Sequence, residues 1–222
     1  MEKRYFYKET GMYIDWAQLD RLPEIDTLVD IGVGPIGTPD LYQRFKTAKL
    51  VLIDPLDEAK NYADSDSVEL KGRDVNFYQT ALGNVDQKTE VLINVEEQIG
   101  RSTLMQVANI NFEGDPIEKR TVPIQKLDDL IVDKDSLGWI GMKIDTEGYE
   151  LEVIRGASAI LKKTRFILAE VRHNHESFDG VYKLHEFVQA LHKNGFVLTM
   201  ILTAKPFIAD LCFQPVSDLQ IA

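Results

Sequence analysis

Hydrophobic residues along the chain fall into short runs of β type that alternate with stretches of helical spacing. That pattern predicts an α/β sheet with helices on its faces. Thr27-Leu-Val-Asp-Ile31 reads as a first strand and runs into a glycine turn. Thr38 then stands as an N-cap with Pro39 at the first helical position, opening a helix to about Phe45. Lys49 to Asp54 reads as a second strand, stopped by Pro55. Asn76 to Leu82 reads as a third, and Thr89 to Val95 as an added strand, its hairpin partner through a turn at Gly83-Asn84. Arg120 to Ile124 is a short strand in which Pro123 points to an edge position, and Lys126 to Ile131 reads as helix.

Trp139 to Asp145 is the next core strand. Leu151, Ile154, Ala157 and Leu161 then form a 3.6-residue stripe on a helix. Arg165 to Val171 is another core strand, and Val181 to Lys193 a helix ended by Asn194-Gly195. Phe196–Leu202 and Asp210–Pro215 are joined by a short linker and predict an antiparallel pair. A mostly parallel sheet that finishes this way differs from a simple dinucleotide domain, which continues with further βα units. No internal repeat is visible. The expected organisation is one domain over residues 1–222, with 1–25 as an N-terminal cap and the polar stretch 96–119 as a variable surface excursion.

Composition narrows the function classes. The 222 residues carry 25 Lys plus Arg against 36 Asp plus Glu, a net charge of −11. This disfavours duplex nucleic acid and anionic membranes, both of which need a basic footprint. The single cysteine, Cys212, excludes an internal disulfide framework and a cysteine zinc cluster. Its apolar setting marks it as buried filler rather than a catalytic thiol. No run has signal-peptide or membrane-span length, so a cytoplasmic location is expected.

The first candidate site is Asp30-Ile-Gly32-Val-Gly34-Pro-Ile-Gly37, a Gly-x-Gly-x-x-Gly run after a strand and before a helix. Glycines there permit a tight turn and close backbone approach to a ligand. Asp54 closes the second strand, 20 residues past Gly34, where a carboxylate suits ribose hydroxyls. Strand, turn, helix and acid together favour a nucleotide-like ligand. Asp30 narrows the choice, because an acid at the mouth of the loop repels a pyrophosphate but suits an ammonium or a sulfonium. S-adenosylmethionine carries both cations and a ribose, so these residues favour a methyltransferase over an NAD enzyme. The alternative for Asp30 is structural: it orders the loop by accepting backbone N–H groups.

A second constellation, Lys143-Ile-Asp145-Thr-Glu147-Gly148-Tyr-Glu150, lies at the C-terminal end of a core strand, where open α/β sheets bind ligands. While the chain stays extended, Lys143, Asp145 and Glu147 face one way. A lysine in a buried strand is costly unless paired, and the neighbouring acids are its natural partners.

Over residues 122–171 the chain resembles the FkbM-type methyltransferases, a family of class I S-adenosylmethionine-dependent enzymes. Lys143-Ile-Asp-Thr-Glu-Gly-Tyr-Glu150 with Val153-Ile-Arg-Gly-Ala157 is similar to the family's Lys-x-Asp-x-Glu-Gly-x-Glu and Leu-Arg-Gly-Ala. Val122 to Leu130 resembles its segment ending Leu-Asp-Asp-Leu, and Phe166 to Val171 its strand ending Glu-Val. Val29-Asp-Ile-Gly32, Ala81-Leu-Gly83 and Ser102-Thr-Leu104 also fit, extending the likeness to about residues 27–200. Two positions depart. Pro35 stands where the family has asparagine and removes an N–H donor, and Asp54-Pro55 stands for the usual Glu-Pro.

The resemblance implies a Rossmann-like class I sheet and S-adenosylmethionine as cofactor. It also implies methyl transfer, mostly to hydroxyls of sugars or natural products. The expected cofactor-binding residues are Asp30, Gly32, Gly34, Gly37, Asp54, Ala81 and Lys143. Candidate bases are Asp145, Glu147, Glu170 and His173, with Asp145 nearest the transfer centre. His173 and His175 share one loop and offer a base or a metal ligand pair, although no metal is expected.

Arg101, Ser102 and Thr103 are candidate substrate contacts. The aromatics Tyr5, Phe6, Tyr7, Tyr13 and Trp16 suit either packing on the sheet or a cover for the pocket or a dimer contact. The expected partner is a small hydroxylated acceptor, with homo-oligomerisation open. The rival readings are an NAD-dependent oxidoreductase, for which no Tyr-x-x-x-Lys stands in a suitable place, and a binding module of methyltransferase form without turnover.

Overall fold

The computed structural model describes residues 16–94, 102–104, 117–173, 181–204 and 207–219. Ten strands and five α-helices follow one another along them. In chain order they are β1 (Thr27–Ile31), α1 (Pro39–Arg44), β2 (Lys49–Ile53), α2 (Asp57–Ala63), β3 (Val75–Tyr78), β4 (Ala81–Leu82) and β5 (Gln87–Asn94). Then come β6 (Ile117–Gln125), α3 (Leu127–Leu130), β7 (Ile140–Ile144), α4 (Glu150–Arg155), β8 (Thr164–Arg172), α5 (Leu184–Lys193), β9 (Phe196–Ala204) and β10 (Ile208–Pro215).

Seven strands form the main sheet in the order β3-β2-β1-β7-β8-β10-β9. The first five neighbours run parallel, and β10 is inserted antiparallel between β8 and β9. All five residues of β1 are buried, as expected of a central parallel strand covered on both faces. Alternation along the strands sorts the core into two layers. Val29, Ile31, Met142 and Ile144 pack with Leu151 and Ile154 of α4 and Phe187 and Leu191 of α5. Leu28, Leu50, Leu52 and Leu168 pack with Leu41 and Tyr42 of α1 and Ala59 and Tyr62 of α2. Chain direction reverses its travel across the sheet between β1 and β7. Their C-terminal ends therefore form a topological switch point, the place where such sheets bind ligands.

The second half of the expected layout needs correction. Asn76–Leu82 is not one strand. It breaks at Gln79-Thr80, leaving β3 on the main sheet and sending β4 to a separate three-stranded sheet, order β4-β6-β5. β5 pairs antiparallel with β6, from Gln87↔Ile124 to Asn94↔Ile117, and not with the Asn76–Leu82 run. Pro123 therefore sits in a central strand rather than at an edge. It is tolerated because β4 pairs β6 only at Ile124 and Gln125, so the missing N–H interrupts little of the ladder. Residues 117–119 belong to β6 rather than to a surface excursion.

The helical stripe Leu151, Ile154, Ala157 and Leu161 is buried throughout, but α4 stops at Gly156 and a 3-10 turn, Ile160–Lys163, completes it. Gly156 is required there because a Cβ would stand 2.1 Å from the Gly83 carbonyl oxygen. Cys212 is fully buried, and burial pushes its thiol up to about 12, which fits filler. No helix among the described residues is long and apolar enough to cross a membrane. The aromatics Tyr5, Phe6, Tyr7 and Tyr13, together with Arg101 and His175, lie outside the described residues, and Trp16 is described only as the start of a 3-10 turn.

Candidate active site

A cleft of about 570 Å³ opens at the switch point. Its floor is the β1 turn with Gly32 and Gly34, its walls are Ile53, Asp54, Leu56 and Ala81, and Asp145 and Thr146 close it on the β7 side. Gly32 and Gly34 have φ of 81° and 59°, the left-handed region that glycine enters at no steric cost. Gly32 is also a crossing point, since a Cβ there would lie 1.7 Å from the Asp145 carbonyl oxygen. The Asp145 N–H in turn donates to the Ile31 carbonyl at 2.9 Å, locking the β7 exit against the β1 exit.

Asp54 is the charged wall of this cleft. It is only 6% exposed, and its two oxygens accept from Gly34 N–H and Leu56 N–H, each at 2.9 Å. Burial pushes its pKa up from 3.8 to about 6, while the two N–H groups and Lys143 hold it back from rising further. Each oxygen keeps acceptor capacity toward the cleft.

Of the residues expected from sequence, Gly32, Gly34, Asp54, Ala81 and Asp145 line this cleft, and so does Ser102. Gly37 does not. Its φ of 61° carries the loop past Tyr62, whose ring would stand 2.5 Å from a Cβ at this position.

Asp30 does not line the cleft either. On β1 the side chain before Ile31 faces the opposite layer. There Asp30, fully buried, accepts from the hydroxyls of Tyr42 and Thr38, the latter at 3.0 Å. Thr38 stands at the N-cap position but spends its hydroxyl on Asp30 instead of the helix. Burial and the Asp30 charge raise the Tyr42 phenol well above its ordinary pKa, so it remains a donor. Asp30 thus holds Thr38 and Tyr42 by their hydroxyls, where the structural alternative expected it to accept backbone N–H groups of the loop.

Lys143 lies on the same face as Asp30. Its ammonium donates to the Gly32 carbonyl and to Asp145, both at 3.2 Å, and stands 3.6 Å from Asp30. Burial pulls its pKa down, but Asp145 and Asp30 outweigh that and hold it above the ordinary lysine value, so it is a cation. Lys143 thus braces the glycine turn from behind.

The strand ends at Ile144, before Asp145 and Glu147, yet the Lys143 ammonium still reaches Asp145 at 3.2 Å. Glu147 takes φ 52°, a left-handed turn in a non-glycine residue. Its carboxylate pairs with Arg172, and its carbonyl accepts from the Thr103 hydroxyl at 2.7 Å. Carboxylate oxygens of Asp145, Glu147 and Glu170 nonetheless converge within 4.8 Å of one another. His173 donates its backbone N–H to the Phe207 carbonyl and does not line this cleft.

Sequence reasoning passed over Glu150 and Tyr182 as site-builders. Glu150 is 1% exposed. One of its oxygens gathers Thr146 N–H, Thr146 hydroxyl and Gly148 N–H at 3.0–3.1 Å, and the other takes the Tyr182 hydroxyl at 2.7 Å. This buried acid shapes the loop that carries Asp145 and Glu147. The signal available in sequence was an acid at the first position of an otherwise apolar helical stripe.

The strand order and the glycine-floored cleft at its switch point define a Rossmann-like class I methyltransferase fold. The Methyltransferase FkbM domain description matches residues 34–198, and the chain belongs to that family. It is a methyltransferase whose cofactor is S-adenosylmethionine.

Among solved structures it is similar to ribosomal protein L11 methylase from Lactobacillus delbrueckii subsp. bulgaricus (15% identity, TM-score 0.49, covering 96% of this chain and 81% of that one). A SAM-dependent methyltransferase from Aquifex aeolicus matches at 15% identity and TM-score 0.49, covering 91% and 90%. Magnesium protoporphyrin IX methyltransferase from Synechocystis PCC 6803, with bound SAM, matches at 11% and 0.47, covering 90% and 74%. No match is found among curated proteins.

Proposed function

We propose that the protein transfers a methyl group to a hydroxyl of a small uncharged metabolite, a sugar or natural-product acceptor, and that residues 1–222 act as one domain. The observation that carries this reading is the placement of Asp145. Its carboxylate stands on the wall of the cofactor cleft, oriented by Lys143 at 3.2 Å, with the oxygens of Glu147 and Glu170 within 4.8 Å. A hydroxyl must lose its proton as it is alkylated, and a positioned carboxylate contributes roughly 10²–10⁴-fold.

The cleft suits the cofactor by its donor set and its walls. Ile53, Leu56 and Leu82 offer an apolar slot for a purine ring, Asp54 accepts from vicinal ribose hydroxyls, and Gly32 and Gly34 bring backbone close to the chain beyond. S-adenosylmethionine, when bound, supplies an electrophilic methyl on a sulfonium. The chain's part is to bind, align and exclude water, alignment being worth up to about 7–11 kcal/mol in favourable cases. Asp145 then takes the hydroxyl proton at its carboxylate. Glu147 is held by Arg172 and supports the turn, and Asp30 and Lys143 position the glycine loop from behind.

The test is incubation with methyl-labelled cofactor and a metabolite extract, with the product identified by mass spectrometry. An O-methyl product that Asp145→Asn reduces at least a hundredfold, with cofactor affinity within twofold of wild type, supports the reading. An N- or C-methyl product, or full turnover by Asp145→Asn, overturns it.

A further inference from the structure

Val91 lines the cofactor cleft although it belongs to the small sheet. It packs with Leu56, which precedes α2, and with Ala81, Val122 and Ile124. Its register partner on β6 is Arg120. Directly opposed residues share a face of a sheet, and so do residues two and four apart on one strand. Arg120 is therefore on the same face as Val91, Val122 and Ile124, at the rim of that apolar patch.

The Arg120 guanidinium holds two carboxylates. Nη1 donates to both oxygens of Glu58, at 2.8 and 3.0 Å. Nε and Nη2 donate to the two oxygens of Glu118, at 2.8 and 3.1 Å. Glu118 belongs to β6 itself, whereas Glu58 belongs to α2 and follows Leu56 by two residues. The side chains of Arg120 and Glu58 are 25% and 27% exposed, which spares their bridge much of the screening by salt. Among the described residues it is the ion pair that joins the small sheet to the rest of the fold.

The backbone ladder gives this part of the sheet little help. β4 carries Ala81 and Leu82 into the cleft wall but pairs with β6 only at Ile124 and Gln125. Arg120 and Val91 lie four residues further along the hairpin, about 13 Å from that pairing. Apolar contacts are non-directional, but a guanidinium fork on a carboxylate sets both distance and angle.

We infer that Arg120 and Glu58 are positioning residues for the cofactor. Their bridge pins the β5–β6 hairpin onto α2 so that Val91 closes the cleft beside Leu56. The inference rests on the cofactor reading above and adds to it an outer wall held in place by charge. Without the bridge the closed arrangement is populated less, and apparent affinity falls by that fraction. Glu118 binds the same guanidinium from the same strand, so it ties nothing to α2.

The test is calorimetry with S-adenosylhomocysteine on wild type, Arg120→Met, Glu58→Ala, the double variant and Glu118→Gln. Arg120→Met and Glu58→Ala should each raise Kd about three- to tenfold. The double variant should stay within about twofold of the weaker single, because one bridge is lost once. Glu118→Gln should stay within about twofold of wild type. Protein labelled at isoleucine, leucine and valine methyls supplies a local readout. Saturating S-adenosylhomocysteine should shift the Val91, Ile53 and Leu82 signals in wild type. In Arg120→Met the Ile53 and Leu82 shifts should persist while the Val91 shift shrinks. Glu58→Ala serves the same purpose if Arg120→Met fails to fold.

Unchanged Kd in both single variants, a Val91 shift that neither variant alters, or a loss in Glu118→Gln equal to that in Arg120→Met would overturn the proposal while leaving the cofactor reading intact. Absence of S-adenosylhomocysteine binding by wild type would strike the cofactor reading itself, and the wall with it.

Discussion

Gly34 donates its backbone N–H to the carboxylate of Asp54 at 2.9 Å, joining the glycine turn after β1 to the end of β2. This bond gives one residue two tasks. Asp54 shapes the turn and also presents its remaining lone pairs to the cleft. Asp54→Ala should therefore weaken cofactor binding by more than one lost contact. A hydrogen bond to a charged group is worth about 1.5–3 kcal/mol, so a rise in Kd of tenfold or more is expected by calorimetry, with secondary structure retained in circular dichroism.

The pH dependence of that site has a definite sign. Asp54 is raised from 3.8 to about 6, so between those values the native state without cofactor holds a proton that the unfolded state has lost. This group's contribution to stability is present below 3.8 and falls as pH rises through about 6. Cofactor binding is expected to run the other way, because in the proposed site ribose hydroxyls donate to the ionised carboxylate. Affinity should fall by up to about tenfold per pH unit below about 6, and the slope should vanish in Asp54→Asn. Titrations at several pH values, paired with Tm measurements on both proteins, check both signs.

The crossing at Gly32 sets a strict steric limit. Gly32→Ala puts a methyl 1.7 Å from the Asp145 carbonyl oxygen at φ 81°, and backbone on both sides must move. Gly195 has φ 85° but nothing within 4 Å of a Cβ, so Gly195→Ala pays only the left-handed strain of about 1–2 kcal/mol. Thermal denaturation should show Gly195→Ala a few degrees below wild type, and Gly32→Ala far below it or without a cooperative transition.

Tyr182 lies 32 residues from the acid it serves. Tyr182→Phe removes a donor from buried Glu150, which orders Thr146 and Gly148 beside Asp145. The expected cost is about 1.5–3 kcal/mol in unfolding free energy. Turnover should fall more than cofactor affinity does, because the loop carries Asp145 while the proposed cofactor walls come from the ends of β1 and β2.

What the sequence made legible follows from how local each cause is. The central strands β1, β2, β7 and β8 stand out because buried parallel strands are nearly continuous apolar runs. The glycine turn and Asp54 stand out because their partners are one βα unit apart. The small sheet escapes because Asn76–Leu82 reads as one run, and its break at Gln79-Thr80 is set by a distant contact, Thr80 hydroxyl to Pro123 carbonyl at 3.1 Å. Helix α2 escapes because it buries only Ala59 and Tyr62, too few for a stripe.

Asp30 is legible too. The alternation along Thr27–Ile31 already places it opposite Val29 and Ile31, on the face that α1 covers. The turn at Glu147 and its pairing with Arg172, like the Glu150–Tyr182 bond, join residues on different elements, and no spacing in the sequence announces them.

The central claim is that the Gly32–Gly34 turn and Asp54 hold S-adenosylmethionine. Isothermal titration of wild type and Asp54→Ala with S-adenosylhomocysteine tests it most directly. Saturable one-to-one binding, weakened at least tenfold in Asp54→Ala, is the result the account predicts. An unchanged dissociation constant in the variant, or saturable binding of NADH with none of S-adenosylhomocysteine, would contradict it.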